Sequence, residues 1–483
     1  VLFNSYEYLL FLPVVVALYW LLPRKSRLPM LLLASYIFYA SWIPAFLLLI
    51  FGLTLFNWLW GKWLHRAKTK RKLLFGIGLA ANLLTLGLFK YANFFIQSVD
   101  SVWHLVAHRS FDCTLQIILP LGISFFAFEF IHYLFEVYKG NKPVDSFVLF
   151  ALFAAFFPTQ ISGPIKRYPD FVAQMNEEQT LKLSHFDDGL PLILIGLTKK
   201  LLFADNLAAL VQMGVSAPGA YGALELCIIA YAFAFQIYFD FSGYTDIARG
   251  SAMLFGYHIP INFNMPYIAA NISDFWRRWH ISLSTWLRDY LFIPLGGSRG
   301  GRWKTNQNLL WTMALGGLWH GASWNFVVWG IYHGLCLVVH REYRAFIDAR
   351  KLWPAFFESK LYGGISMIFT FHVVCIGWVF FRVQDIKLAF SMVKGMVLFH
   401  PFFSPSLHNQ LVLLKPTMPV MVPLTILLTL ALCIINFPLS RLNESGILRR
   451  SPAPLKAVFC TLLVLALVVL CPDNSAPFIY FQF

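Results

Sequence analysis

Charge is what this sequence has least of. Only 13% of its 483 residues are charged, and the acidic ones are the scarcer, 23 against 38 Lys and Arg. With a mean hydropathy of +0.64, a chain of this length has too few polar side chains to cover itself in water. A soluble globular domain is excluded and an all-α polytopic membrane protein is indicated. The seven cysteines, at 113, 227, 336, 375, 433, 460 and 471, include no C-x-x-C pair and fall mostly in apolar stretches. This argues against a thiolate metal site or a disulfide framework, and no metal is expected. No internal repeat, low-complexity tract or separable soluble domain occurs. Residues 1–483 read as one integral membrane domain, divided into N-terminal helices (1–137), a central core (138–345) and C-terminal helices (346–483).

What is abundant is apolar sequence in lengths that match about 30 Å of hydrocarbon. Such windows lie near 6–23, 28–43, 44–64, 73–97, 115–137, 190–212, 223–243, 309–340, 363–381, 418–437 and 456–472. They predict about 10–12 crossings of the bilayer. The first is followed by Arg24, Lys25 and Arg27 instead of a small-residue cleavage site, so it reads as a retained helix and not a signal peptide. The net charge of +15 is carried in short connections, at 24–27, 65–72, 166–167, 277–304, 341–351 and 440–450. These orient helices and meet anionic headgroups of the lipid bilayer, so no nucleic acid partner is expected. By the positive-inside rule they face the cytoplasm, and 98–114, 216–222, 400–410 and both chain ends face outward.

Two regions do not fit simple spans. Residues 147–165 are apolar but interrupted by Pro158 and Gly163-Pro164, and 244–308 are rich in Asn, Arg, Trp and Gly. Both suggest broken, re-entrant or interfacial helices, which are tolerated at membrane depth only inside protein or along a wet cavity.

The candidate chemistry lies in three stretches. FWRRWHISLSTWLRDY (275–290) reads as one amphipathic helix, with Phe275, Trp279, Leu283, Trp286 and Tyr290 on one face and Arg277, Ser284 and Arg288 on the other. His280 falls on the boundary, and Ser273 or Asp274 is the expected N-cap. Two readings stay open: an interfacial anchor in an aromatic belt, or a phosphate site in which Arg277, Arg278 and Arg288 beside Trp276 bind a soluble cofactor. In LLWTMALGGLWHGASWNFVVWG (309–330), Trp319, His320 and Asn325 sit among glycines in a lipid-like run, and an ionisable residue at depth suggests function. His132 and His333 lack such neighbours and read as core histidines. In FQIYFDFSGYTDIARG (235–250), Asp240 and Asp246 bracket Ser242 at the expected end of a span. These acids could accept protons, orient an imidazole, or pair with Arg277 or Arg278.

Taken together with FPTQISGPIKRY (157–168), YFDFSGYTDIARG (238–250), LGGLWHGASWNFVVWG (315–330) and PFIYFQF (477–483), these stretches resemble the membrane-bound O-acyltransferase family. The likeness runs over nearly the whole chain and is nearest the polysaccharide O-acetylation branch, which includes alginate O-acetylation. It implies a ring of tilted helices with re-entrant and interfacial helices around a central tunnel. It implies His320 as the catalytic base and His280 as a second essential polar residue. It further implies acetyl-CoA as cytoplasmic acyl donor, a polysaccharide acceptor reached through a secreted or periplasmic acetyltransferase partner, and residence in the bacterial inner membrane. D-alanyl or another acyl group remains an alternative cargo. From the residues alone, Glu129, Asp240 and Asp246 with buried histidines equally suit a proton-coupled transporter, although the two related halves expected of one are missing.

Overall fold

The computed structural model describes residues 3–110, 113–350, 357–398, 451–471 and 478–479, and among them the regular structure is entirely helical. The expected span at 418–437 and most of the terminal PFIYFQF lie outside the described residues. Five described helices are long and apolar enough to cross a membrane: Ala45–Arg66, Arg71–Ala107, Ala223–Met253, Lys360–Arg382 and Ala453–Leu470. The chain is an all-α, multi-pass membrane protein.

Its contacts divide it into two compact units, residues 1–190 with 247–260, and residues 191–246 with 261–483. The first unit contains α1 (Tyr6–Leu21), α2 (Arg24–Ala40), α3 (Ala45–Arg66), α4 (Arg71–Leu86), α5 (Ala92–Ala107), α6 (Ile123–Lys139), α7 (Phe147–Ala155) and α8 (Tyr168–Asn176). Local chemistry sets several ends. The Ser5 hydroxyl accepts the Tyr8 N–H at 3.3 Å to start α1. Gly140, at φ +114, ends α6 with a paired closure in which the Asn141 N–H reaches Glu136 O and the Gly140 N–H reaches Val137 O, both at 3.1 Å.

Polar residues buried in this unit find partners inside it. Asn57 of α3 and Asn82 of α4 exchange amide hydrogen bonds of 3.1 and 2.8 Å, fixing the register of that hairpin where lipid offers no competitor. The expected break after α7 is present: residues 156–167 are not helical. They are held by α6. Lys166 Nζ donates to Glu129 Oε1 at 2.7 Å and to Thr159 at 2.6 Å, and the Tyr168 N–H donates to His132 Nε2 at 3.1 Å. Glu129 is therefore one half of a buried ion pair, and His132 is the core histidine expected.

The second unit contains α10 (Asp205–Ser216), most of α11 (Ala223–Met253), α12 (Ile272–Arg278), α13 (Ile281–Leu287), α14 (Gly301–His320), α15 (Trp324–Arg350), α16 (Lys360–Arg382), α17 (Ile386–Leu398) and α18 (Ala453–Leu470); α9 (Leu183–Thr198) begins in the first unit and ends in this one. Two π-helical turns, Gly87–Tyr91 and Lys199–Ala204, interrupt longer helices, and a third, Arg288–Phe292, ends α13.

Three expectations are corrected here. The helix carrying Asp240 and Asp246 does not end near them but runs on to Met253. The window 309–340 is two helices, broken after His320 where Gly321 turns to extended backbone. The stretch 275–290 is not one helix. Asn271, and neither Ser273 nor Asp274, caps α12 by accepting the Asp274 N–H at 2.9 Å, and the chain breaks at His280.

Helices α14 and α15 pack with backbones almost touching. A Cβ on Gly317 would collide with the Phe326 carbonyl, and one on Gly330 with the Met313 carbonyl. Small residues in both helices permit this approach, which holds the break at His320 closed. Gly330→Leu should therefore cost about 1–3 kcal/mol by overpacking. It should lower the detergent melting temperature, while Gly364→Leu, whose added Cβ would meet nothing within 4 Å, should leave it unchanged.

Candidate active site

The two histidines singled out from sequence come together although 40 positions separate them. Their ring centroids lie 6.4 Å apart at an interplanar angle of 58°. Each is delivered by a break in a helix. His320 is the last residue of α14, where an ordinary helix would have carried the chain onward; Gly321 follows because the Phe326 ring occupies the space a Cβ would need.

His280 sits between α12 and α13 at φ +43, left-handed backbone that costs a non-glycine residue about 1–3 kcal/mol and clusters at functional sites. A neighbouring extended segment enforces it. Asn262 O accepts the Ile281 N–H at 2.9 Å, Asn262 Oδ1 accepts the Ser282 N–H at 3.2 Å, and the Asn264 N–H donates to Arg278 O at 2.9 Å. Asn262 was not evident from sequence; a lone Asn in INFNMPY looks like any loop residue.

Around both imidazoles is an aromatic box. Phe241 meets His280 edge-on at 4.7 Å, and Trp319, Trp329 and Phe381 lie 5.0, 5.1 and 5.3 Å from His320. His280 is fully buried and His320 nearly so. Such walls exclude water and strengthen every polar interaction made within them. Trp276, expected near phosphates, belongs to the box instead, 5.7 Å from Trp329 and 5.2 Å from His333.

The other candidates are distributed around this centre. Arg277 is exposed, with one long bond of 3.4 Å to Ser273. Arg278 is tied to Asp274 at 2.9 Å, and the exposed Arg288 to Asp289 at 2.8 Å. Asn325 supports the site indirectly, its amide donating to Val383 O and, at 3.0 Å, to Gln384 O, which binds the start of α15 to the end of α16. Ser242 is buried on α11 beside Phe241.

The acids pair with lysines of the π turn after α9. Asp246 Oδ2 accepts from Lys199 Nζ at 2.7 Å, and Lys200 Nζ lies between Asp240 Oδ1 and Asp205 Oδ1, 2.7 Å from each. Asp240 Oδ2 also accepts the Ile479 N–H at 2.8 Å, and the Lys200 ammonium stands 4.7 Å from the Phe478 ring. The cluster thus seats the described end of the chain against α11. Among the described residues, no group of three or more His, Cys, Asp or Glu side chains is arranged for a metal ion.

Because Lys200 satisfies two buried carboxylates, Lys200→Met should destabilise the full chain more than Asp240→Asn. Leaving a buried charge without its partner costs about 3–5 kcal/mol, and the first change strands two. Thermal unfolding in nanodiscs checks the order; equal losses would contradict the pairing described.

Residues 71–382 match the sequence profile of the membrane-bound O-acyltransferase family. The Probable alginate O-acetylase of Pseudomonas aeruginosa is 41% identical over 409 residues, covering 82% of this chain and 75% of the relative. The Peptidoglycan O-acetyltransferase of Helicobacter pylori is 36% identical over 431 residues, covering 82% and 80% respectively. The Teichoic acid D-alanyltransferase of Bacillus subtilis is 29% identical over 299 residues, covering 59% and 74%.

Proposed function

The chain belongs to the membrane-bound O-acyltransferase family and is an O-acyltransferase, and we propose that it transfers an acetyl group from cytoplasmic acetyl-CoA toward an extracellular or cell-wall polysaccharide. The observation that carries the reading is the pair of buried imidazoles 6.4 Å apart, each delivered by a helix break into an aromatic enclosure. Two ionisable rings brought together there at the cost of a left-handed backbone support an active centre over a packing role.

In this mechanism His320 takes the proton of the acceptor hydroxyl as its oxygen attacks the acetyl carbon. The thioester C–S bond breaks, the ester C–O bond forms, and His320 returns the proton to the departing thiolate sulfur. General base catalysis by a positioned imidazole supplies about 10²- to 10⁴-fold. His280, facing the same centre, polarises the thioester carbonyl, and the enforced turn at Asn262 keeps its ring in place. Arg277, exposed and weakly tied, is the cation best able to exchange its partner for a donor phosphate; Arg278 and Arg288 must first give up Asp274 and Asp289. The basic connections, read as cytoplasmic, put this entrance on the side where acetyl-CoA is made, with the protein in the bacterial inner membrane. A secreted or periplasmic acetyltransferase finishes the transfer to polymer. Greater identity to O-acetylating relatives than to the D-alanyl relative favours acetyl as the cargo.

His320→Ala should reduce acyl transfer by at least about 10²-fold with normal membrane insertion. Mass spectrometry of envelope polysaccharide should show acetyl esters lost in cells carrying the variant. D-alanyl esters lost instead would reassign the cargo, and undiminished esters would remove His320 from the chemistry.

Arg277→Gln should weaken binding of a non-hydrolysable acetyl-CoA analogue to nanodisc-embedded protein in a salt-dependent manner, measured by isothermal titration. Unchanged affinity would return Arg277 to the role of a headgroup anchor.

A further inference from the structure

Beside the aromatic box lies a small, partly open apolar cavity between α10, α11, α16 and α17, lined by Val215, Ile229, Phe233, Trp378, Val383 and Met392, with Arg382 the charged residue at its wall. The Arg382 guanidinium is engaged elsewhere, donating to Gln212 at 2.6 Å, so the cavity meets it as hydrocarbon stem. Two rings separate this space from the candidate base. Phe381 stands 5.3 Å from His320, Trp378 stands 5.4 Å from Phe381, and Trp378 itself forms the cavity wall.

Neither ring has freedom to step aside. Trp378 is 1% exposed and Phe381 3%. Trp378 is wedged between Trp279 at 4.8 Å and Trp329 at 5.9 Å, and Phe381 between Phe326 at 5.0 Å and Trp329 at 5.4 Å. Phe326, packed on Phe381, already fills the space left by Gly321. An acyl chain whose carbonyl sits at His320 and whose tail runs in this direction meets Phe381 first, Trp378 next, and the small apolar cavity only beyond.

We propose that Phe381 and Trp378, standing in series between His320 and this cavity, set the length of the acyl group that is transferred and hold it to the shortest chains. The proposal rests on His320 being the base at which the acyl carbon leaves sulfur for the acceptor oxygen. The rings touch no reacting atom; they determine specificity by occupying the path of the tail. A methylene that does not fit an apolar pocket costs about 10- to 200-fold in discrimination, so two rings of exclusion suffice for strict preference.

The test uses the full chain in nanodiscs, with release of free thiol from acetyl-, butanoyl- and hexanoyl-CoA as the readout. Wild type should strongly prefer acetyl-CoA. Phe381→Ala should raise the butanoyl-to-acetyl rate ratio by about 10-fold or more, and the double variant Phe381→Ala, Trp378→Leu should extend the gain to hexanoyl-CoA by joining the box to the cavity. Adding Ala230→Phe, which fills the cavity from α11, should abolish the hexanoyl gain and spare the butanoyl one. Phe381→Leu replaces the alanine variant if that does not elute as a monodisperse protein. Wild type accepting hexanoyl-CoA as readily as acetyl-CoA, or folded variants with wild-type preference, would overturn the proposal. His320→Ala controls the premise: thiol release at the wild-type rate in that variant would topple the assignment of the base, whereas its loss with unchanged acyl preference in the ring variants sinks the length filter alone.

Discussion

A polar side chain inside hydrocarbon has no water to fall back on, and this single constraint organises the described structure. Every unsatisfied donor or acceptor there costs several kcal/mol, so three of the described lysines enter the interior beside carboxylates. Lys166 comes with Glu129, Lys199 with Asp246, and Lys200 with Asp205 and Asp240. Each pair also joins separate stretches of chain: α6 to the non-helical segment after α7, and the π turn after α9 to α11. Ion pairs in this setting are weak sources of net stability, yet breaking one is costly, so they select one arrangement of helices over its competitors.

The same constraint explains the form of the candidate active site. Backbone may leave the helix at depth only if protein satisfies it, and both breaks that present histidines meet that condition. Asn262 receives the two N–H groups exposed after His280. After His320, the Phe326 N–H closes back on Ser323 at 3.2 Å while Gly317 and Gly330 let the next helix approach closely enough to seal the gap. Aromatic rings then fill the remaining space, each tryptophan among them bringing an indole N–H. Rigid enclosure and a strained turn are thus two products of one requirement, and together they hold the imidazoles away from bulk water.

Much of this was legible in the sequence and some was not, for physical reasons. Apolar length marked the crossings, because hydropathy over a long window depends on the bilayer and not on neighbouring helices; Ala45–Arg66 and Lys360–Arg382 emerged nearly as read. Pro158 and Gly163-Pro164 marked the break after α7 because they act on the backbone locally. The break at His280 carried no such mark: the wheel pattern of 275–290 is as good for a helix as any, and only the distant Asn262 makes the left-handed turn worthwhile. The partners of Asp240 and Asp246 were also misjudged. Nearby arginines were the visible cations, whereas Lys199 and Lys200 lay within the apolar window 190–212 and were averaged away. The proximity of His280 to His320 could not come from spacing, since it depends on how α12 to α15 pack; the family resemblance named both residues but gave no distance.

The π turn at Lys199–Ala204 does more than carry three ion pairs. Adjacent residues on an ordinary α-helix point about 100° apart, which would leave one of two consecutive lysines facing away from α11. The wider turn brings both to carboxylates six positions apart on that helix, Lys199 to Asp246 and Lys200 to Asp240. A π turn amounts to one residue inserted into an α-helix, so its length is a phase setting: excision of a single codon there would rewind the segment and rotate everything C-terminal to it, α10 included, by about a quarter turn. Substitutions along this stretch can be tolerated one at a time, but its residue count cannot drift, and insertions and deletions should be purged from it far more stringently than its composition would suggest.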